Sequence, residues 1–265
     1  TTGDSNTAVG KTAGKGLTTG EANVAIGVGA LDASAGTADF NTAVGYLALT
    51  TNTSGHSNTA LGFQALKANI TGDRNVAVGH QALFDNQSGD YNTALGKGAL
   101  ANSTVSENTA VGYATCAANT TGLKTNIDGD KNTAVGYKAL YTFEADTDGH
   151  GENTAVGSEA FYLASTGTQN TAVGYQALRA DCTANYNTAI GWNTLKVNTT
   201  GVSNTGVGGA ALDANVDGSY NAALGVNALT TNVSGHYNVA VGHEALKTST
   251  SSGNTAIGYH SQNKL

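Results

Sequence analysis

Asn170-Thr171-Ala172-Val173-Gly174-Tyr175-Gln176-Ala177-Leu178 decides the fold, because it is one copy of a unit that recurs along the whole chain. The opening Asn returns as Asn6, Asn23, Asn41, Asn58, Asn75, Asn92, Asn108, Asn132, Asn153, Asn170, Asn187, Asn204, Asn221, Asn238 and Asn254, fifteen copies mostly 17 residues apart. A fixed period this short marks a solenoid, in which each repeat is one coil that buries its apolar face only against its neighbours. A 17-residue coil holds two short strands and a turn but no helical pair, and the Val, Thr and Ile content favours strand. The expected fold is all-β: a parallel β-solenoid of about fifteen coils, one domain over residues 1–265.

Numbered from the Asn, each position becomes a column. Column two is Thr in eleven copies, Val at Val24, Val76 and Val239, and Ala at Ala222. Column three is Ala except at Gly206, column four is always Val, Ile or Leu, and column five is always Gly. Column eight is mostly Ala and column nine mostly Leu, with Cys116 and Phe161 as apolar variants. The Asn column predicts an amide ladder between coils about 4.8 Å apart, and Asp never replaces it because like charges would repel up the stack. A second Asn ladder runs through Asn52, Asn69, Asn86, Asn119, Asn198, Asn215 and Asn232. The Gly of column five is expected where the backbone turns with φ > 0 or closely approaches the next coil.

Strand side chains alternate faces, so columns two and four share one face and column three takes the other. Thr and Val have nearly the same shape, and their exchange places column two in a buried slot. Column four, with the Leu of column nine, then forms the aliphatic core. The strict Ala of column three becomes an outward flat strip that packs against another copy of the chain. An array of Thr on a flat solenoid face is also the pattern of ice-binding proteins; interruption by Val and Ala, and the lack of a Thr-x-Thr pair, argue instead for an interior column.

Composition narrows the function classes. The chain holds 36 Gly and no Pro, so its glycines punctuate a paired backbone rather than a disordered tract. Net charge is −7 with 12 scattered Lys and Arg, which argues against nucleic acid as a partner. No apolar run reaches the length of a membrane-spanning helix, so no membrane insertion is expected. The chain starts at Thr1 without Met, and it reads as a piece of something longer. Cys116 and Cys182 lie coils apart, beyond disulfide reach, and Cys116 takes the place of a core Leu.

Two coils are longer, over residues 108–131 and 132–152, and their extra residues form loops at 121–131 and 142–152. Asp128, Asp130, Asp146, Asp148 and Glu152 alternate with Gly there, the oxygen-ligand pattern of Ca²⁺ loops; solvated insertions are the competing account. Column six carries Tyr46, Phe63, Tyr113, Tyr137, Tyr175, Trp192 and Tyr259, a row that would stack on sugar rings or on itself from coil to coil. The six His are scattered with no metal-type pairing, and no nucleophile–base set or phosphate loop is implied by spacing. No cofactor and no catalytic residue is expected.

The Asn-Thr-Ala-Val-Gly unit, with Gly in the turn ahead of it, resembles the head repeats of YadA-like trimeric autotransporter adhesins. With the Tyr-x-Ala-Leu extension it is also similar to repeats of phage tail fibres. The resemblance covers nearly the whole chain, from Asn6–Gly10 through the fourteen later units. It implies a homotrimer, a left-handed roll and an extracellular place on a cell surface or a virion tail. The expected function is a non-enzymatic fibre segment that attaches to a host-surface glycan or protein. A self-assembling filament or sheath, or a polysaccharide-degrading tailspike, are the alternatives; the tailspike needs several carboxylates in one groove, which the columns do not supply.

Overall fold

The computed structural model of the chain describes residues 3–33, 37–117, 131–143, 151–180 and 182–262. These fall into two compact units, one up to Asn132 and the other from Thr133 onward. Fifteen three-residue strands cover columns two to four of every copy, and no helix occurs among the described residues. In the first unit they run from β1 (Thr7–Val9) to β7 (Thr109–Val111). In the second they run from β8 (Thr133–Val135) to β15 (Thr255–Ile257). Within each unit every strand pairs in parallel with the next, with no slip: Thr171 faces Thr188, Ala172 faces Ala189 and Val173 faces Ile190. The expected parallel β-solenoid is what forms.

The interior of a coil is narrow. It holds the Ala of columns three and eight and the Leu of column nine, fully buried in the inner coils, as at Ala172, Ala177 and Leu178. The face assignment is therefore the reverse of the one expected from Thr–Val exchange. Column three points in, and columns two and four point out: Leu61, Leu95 and Leu224 are 46%, 47% and 52% exposed. The Ala column is strict because the opposite wall, not another copy, limits its size. Gly206 shows this directly. A Cβ built there would lie 2.6 Å from the Cγ2 of Thr194, which occupies column eight one coil earlier. The extra methyl of Thr194 fills the space that the missing one leaves.

Columns eight and nine both point inward, which a strand with period two cannot do. The backbone solves this with left-handed residues at columns seven and nine, such as Leu47 (φ 50°) and Leu49 (φ 52°). A left-handed non-Gly residue costs about 1–2 kcal/mol. Bonds between coils hold it there. Leu49 donates its N–H to Ala65 O at 3.0 Å, and Gln64 donates to Tyr46 O at 2.9 Å. The Gly of column five meets both expectations: Gly10 has φ 130°, and a Cβ there would lie 2.7 Å from Gly27 O.

The Asn ladder is present and buried. Asn58 donates both its backbone N–H (2.9 Å) and its Nδ2 (3.2 Å) to Asn41 Oδ1, and its Nδ2 also reaches Gly72 O at 2.8 Å in the return turn of its own coil. The second ladder repeats the device at Asn52, Asn69 and Asn86, with Nδ2-to-Oδ1 bonds of 2.9 Å, and again from Asn198 to Asn232. Between these runs Ser103, Phe143, Ala164 and Cys182 fill the same slot, while Asn119 lies outside the described residues.

Candidate functional site

Three outward rows on the coils carry the surface chemistry. The first is the strand face. Column two presents half-buried to exposed Thr, Val or, once, Ala222, and column four presents Val, Ile or Leu, so each coil adds one branched apolar side chain to an unbroken row in each unit. Because column two points outward, the ground for treating its Thr as interior is removed.

The second row is column six. Tyr46, Phe63, Tyr113, Tyr137, Tyr175 and Trp192 all lie outside the coil, with Trp192 57% exposed. In one run of coils the rings also stack: Tyr46 on Phe63 at 5.3 Å and Phe63 on His80 at 4.9 Å between centroids. Stacking and exposure coexist, because a ring can cover its neighbour's face and still turn an edge to water. The third row, which the sequence reading missed, is the residue just before each Asn. Phe40, Tyr91, Tyr186, Tyr220 and Tyr237 stand there, all more than half exposed and all left-handed, with φ from 57° to 62°. Tyr220 and Tyr237 stack at 5.2 Å and 3°. The signal was the same 17-residue spacing, hidden by the Ser, Arg, Glu and Gln that alternate with the rings.

Beside this row lies a column of acceptors that was not singled out either. Glu21 N–H donates to Asp39 Oδ1 (2.8 Å), His56 N–H to Asp73 Oδ1 (2.7 Å) and Asp73 N–H to Asp90 Oδ1 (2.7 Å). Ser219 N–H donates to the Nδ1 of His236 at 3.0 Å. Each acceptor satisfies a backbone donor of the preceding coil, so these side chains tie successive coils together.

In the second unit, Tyr141 and Tyr162 stack at 5.3 Å, with the Lys138 ammonium 5.2 Å from the Tyr141 ring and the Arg179 guanidinium 5.2 Å from the Tyr162 ring. Arg179 Nε bonds Glu159 Oε2 at 2.9 Å, and Gln176 Nε2 bonds the same oxygen at 2.8 Å. These two bonds, Arg179 first, hold the Glu159 carboxyl below the usual glutamate range. The Cys116 thiol is pushed up to about 12 by burial, which fits a core filler and not a nucleophile.

Of the candidate Ca²⁺ ligands, Asp128, Asp130, Asp146 and Asp148 lie outside the described residues. Glu152 is exposed and accepts a 2.8 Å bond from Gln169 Nε2. The view of the His as scattered needs correction: His243, Glu244 and His260 place one ligand atom each within 4.8 Å of the others. One coil separates His243 from His260 in the sequence, so the spacing carried the signal. No helix among the described residues is long and apolar enough to cross a membrane. Comparison with protein-family models, with characterised proteins and with solved structures finds no match.

Proposed function

We propose that this chain is a non-enzymatic, extracellular fibre segment, a homotrimer that attaches to a glycan or protein on a host cell or surface. The observation that carries the reading is the pair of exposed aromatic rows, in which Trp192, Tyr175, Tyr220 and Tyr237 stand out from the coil. Flat rings repeated once per coil are platforms for the apolar faces of sugars. Many such weak contacts on one body add up through multivalency. Assembly is supported by the outward Val, Ile and Leu of column four, a continuous apolar row that water would leave uncovered in a monomer. The resemblance to trimeric adhesin heads and tail fibres supports three chains and a left-handed winding in this proposal, on the surface of a cell or a virion tail.

The test is a binding screen: immobilised glycans and intact bacterial or animal cells are offered to the protein, and hits are titrated by the fraction of protein retained on the surface. Binding that falls when Tyr175, Trp192, Tyr220 and Tyr237 are all changed to Ala, with the far-ultraviolet spectrum unchanged, supports the reading. Absence of binding to every surface, binding indifferent to the four changes, or shortening of a bound polysaccharide would overturn it.

A further inference from the structure

We propose that His243, Glu244 and His260 form a binding site for a divalent transition metal, of which Zn²⁺ is the best fit. His243 and Glu244 occupy columns six and seven of one coil, and His260 occupies column seven of the next. The stack itself brings them together. Column-seven side chains of successive coils meet elsewhere in the same way: Gln81 Nε2 bonds Gln64 Oε1 at 3.1 Å, and Gln176 bonds Glu159 at 2.8 Å. In the last pair the partners are a carboxylate and an imidazole, with His260 Nδ1 3.1 Å from Glu244 Oε2. The second imidazole, His243, stands over the same point, its ring 5.7 Å from that of His260 and tilted by 58°.

Two imidazole nitrogens and one carboxylate oxygen are the donor set of an open tetrahedral zinc site, with ligands at about 2.0–2.2 Å and a fourth position for water. Such ligands lie about 3.4 Å apart by tetrahedral geometry. The Glu244–His260 pair is already that close, and the 4.8 Å limit on the whole set leaves only a rotation of exposed His243. Imidazole ligands disfavour Ca²⁺ and Mg²⁺, which take oxygen. Lys247 Nζ bonds Glu244 Oε1 at 2.7 Å, which orients the carboxylate and leaves Oε2 for the ion. Tyr259 stacks on His243 at 5.4 Å and meets His260 edge-on at 4.0 Å, limiting how both rings turn. Among the described residues no other three such side chains converge. A bound ion would tie the coil of Asn238 to the coil of Asn254. The inference is independent of any attachment role.

The experiment is calorimetric titration of Zn²⁺ into tag-free protein, beside His243→Ala, His260→Ala, Glu244→Gln and the control His80→Ala. One ion per chain is expected, with affinity reduced by about tenfold or more in the first three variants and unchanged in the control. Excess Ca²⁺ should not displace it. Far-ultraviolet spectra of the metal-free variants check folding, and Glu244→Gln, which keeps the side-chain shape, stands in if an Ala variant unfolds. No uptake by the unaltered protein, or uptake indifferent to all three changes, overturns the proposal.

Discussion

At Asn75 one amide holds three parts of the molecule together. Its N–H and Nδ2 donate to Asn58 Oδ1 at 3.0 and 3.1 Å, its Nδ2 also donates to Gly89 O at 2.8 Å, and its Oδ1 accepts from Asn92 N–H at 2.9 Å. The side chain must be donor and acceptor at once, in a fully buried site. Asp keeps the acceptor and loses the donor, so hydrogen bonding excludes it as firmly as charge repulsion does. Asn75→Asp is predicted to lower stability by about 3 kcal/mol at neutral pH, the scale of a buried unpaired charge. Burial would raise the folded-state pKa of that carboxyl above its unfolded value. The penalty is then full above the folded-state pKa and shrinks as pH falls through it. Urea unfolding of variant and parent at neutral and mildly acid pH measures both; a variant as stable as the parent at neutral pH would contradict the ladder. This residue was legible because Asn is invariant in a stack where only an amide serves. The left-handed Leu49 and Phe40 were not legible, since local preference argues against them and only bonds to neighbouring coils hold them.

At the scale of the coil, the strand–Gly–turn order was readable, while the faces of the strand came out reversed. Alternation correctly set Ala172 apart from Thr171 and Val173, but it does not say which set is inside. The usual rule that larger apolar side chains go inward failed because the coil is thin: the opposite wall is already filled by Ala177 and Leu178. The Thr194–Gly206 exchange is the clue in the sequence, and it becomes readable only once columns three and eight are known to face each other. Ala172→Val is therefore predicted to cost about 1–3 kcal/mol through overpacking. On an outward strand position the same change would be neutral or favourable, because Val suits strands better than Ala. Thermal or urea unfolding decides between the two. The aromatic rows were half legible. Column six stood out by its rings, whereas the row before the Asn is diluted with polar residues, and the rings of Tyr220 and Tyr237 meet only through stacking.

At the scale of the whole molecule, each unit turns a row of Val, Ile and Leu outward from its strands, and the proposed trimer is what would cover it. An outward Ala strip was the feature first expected to serve for association; it lies inside, and the branched row of column four takes over that role with more apolar area per coil. The proposed association can be removed without touching the coil interior: Val173→Lys with Ile190→Lys places charges on the row while leaving Ala172 and Leu178 in place. Sedimentation equilibrium, which reports mass independently of shape, tests the central claim most directly. The account predicts a particle three times the 26.5 kDa chain mass that falls to a single folded chain in the Lys double variant, and a 26.5 kDa species at every concentration of the unaltered protein would contradict it.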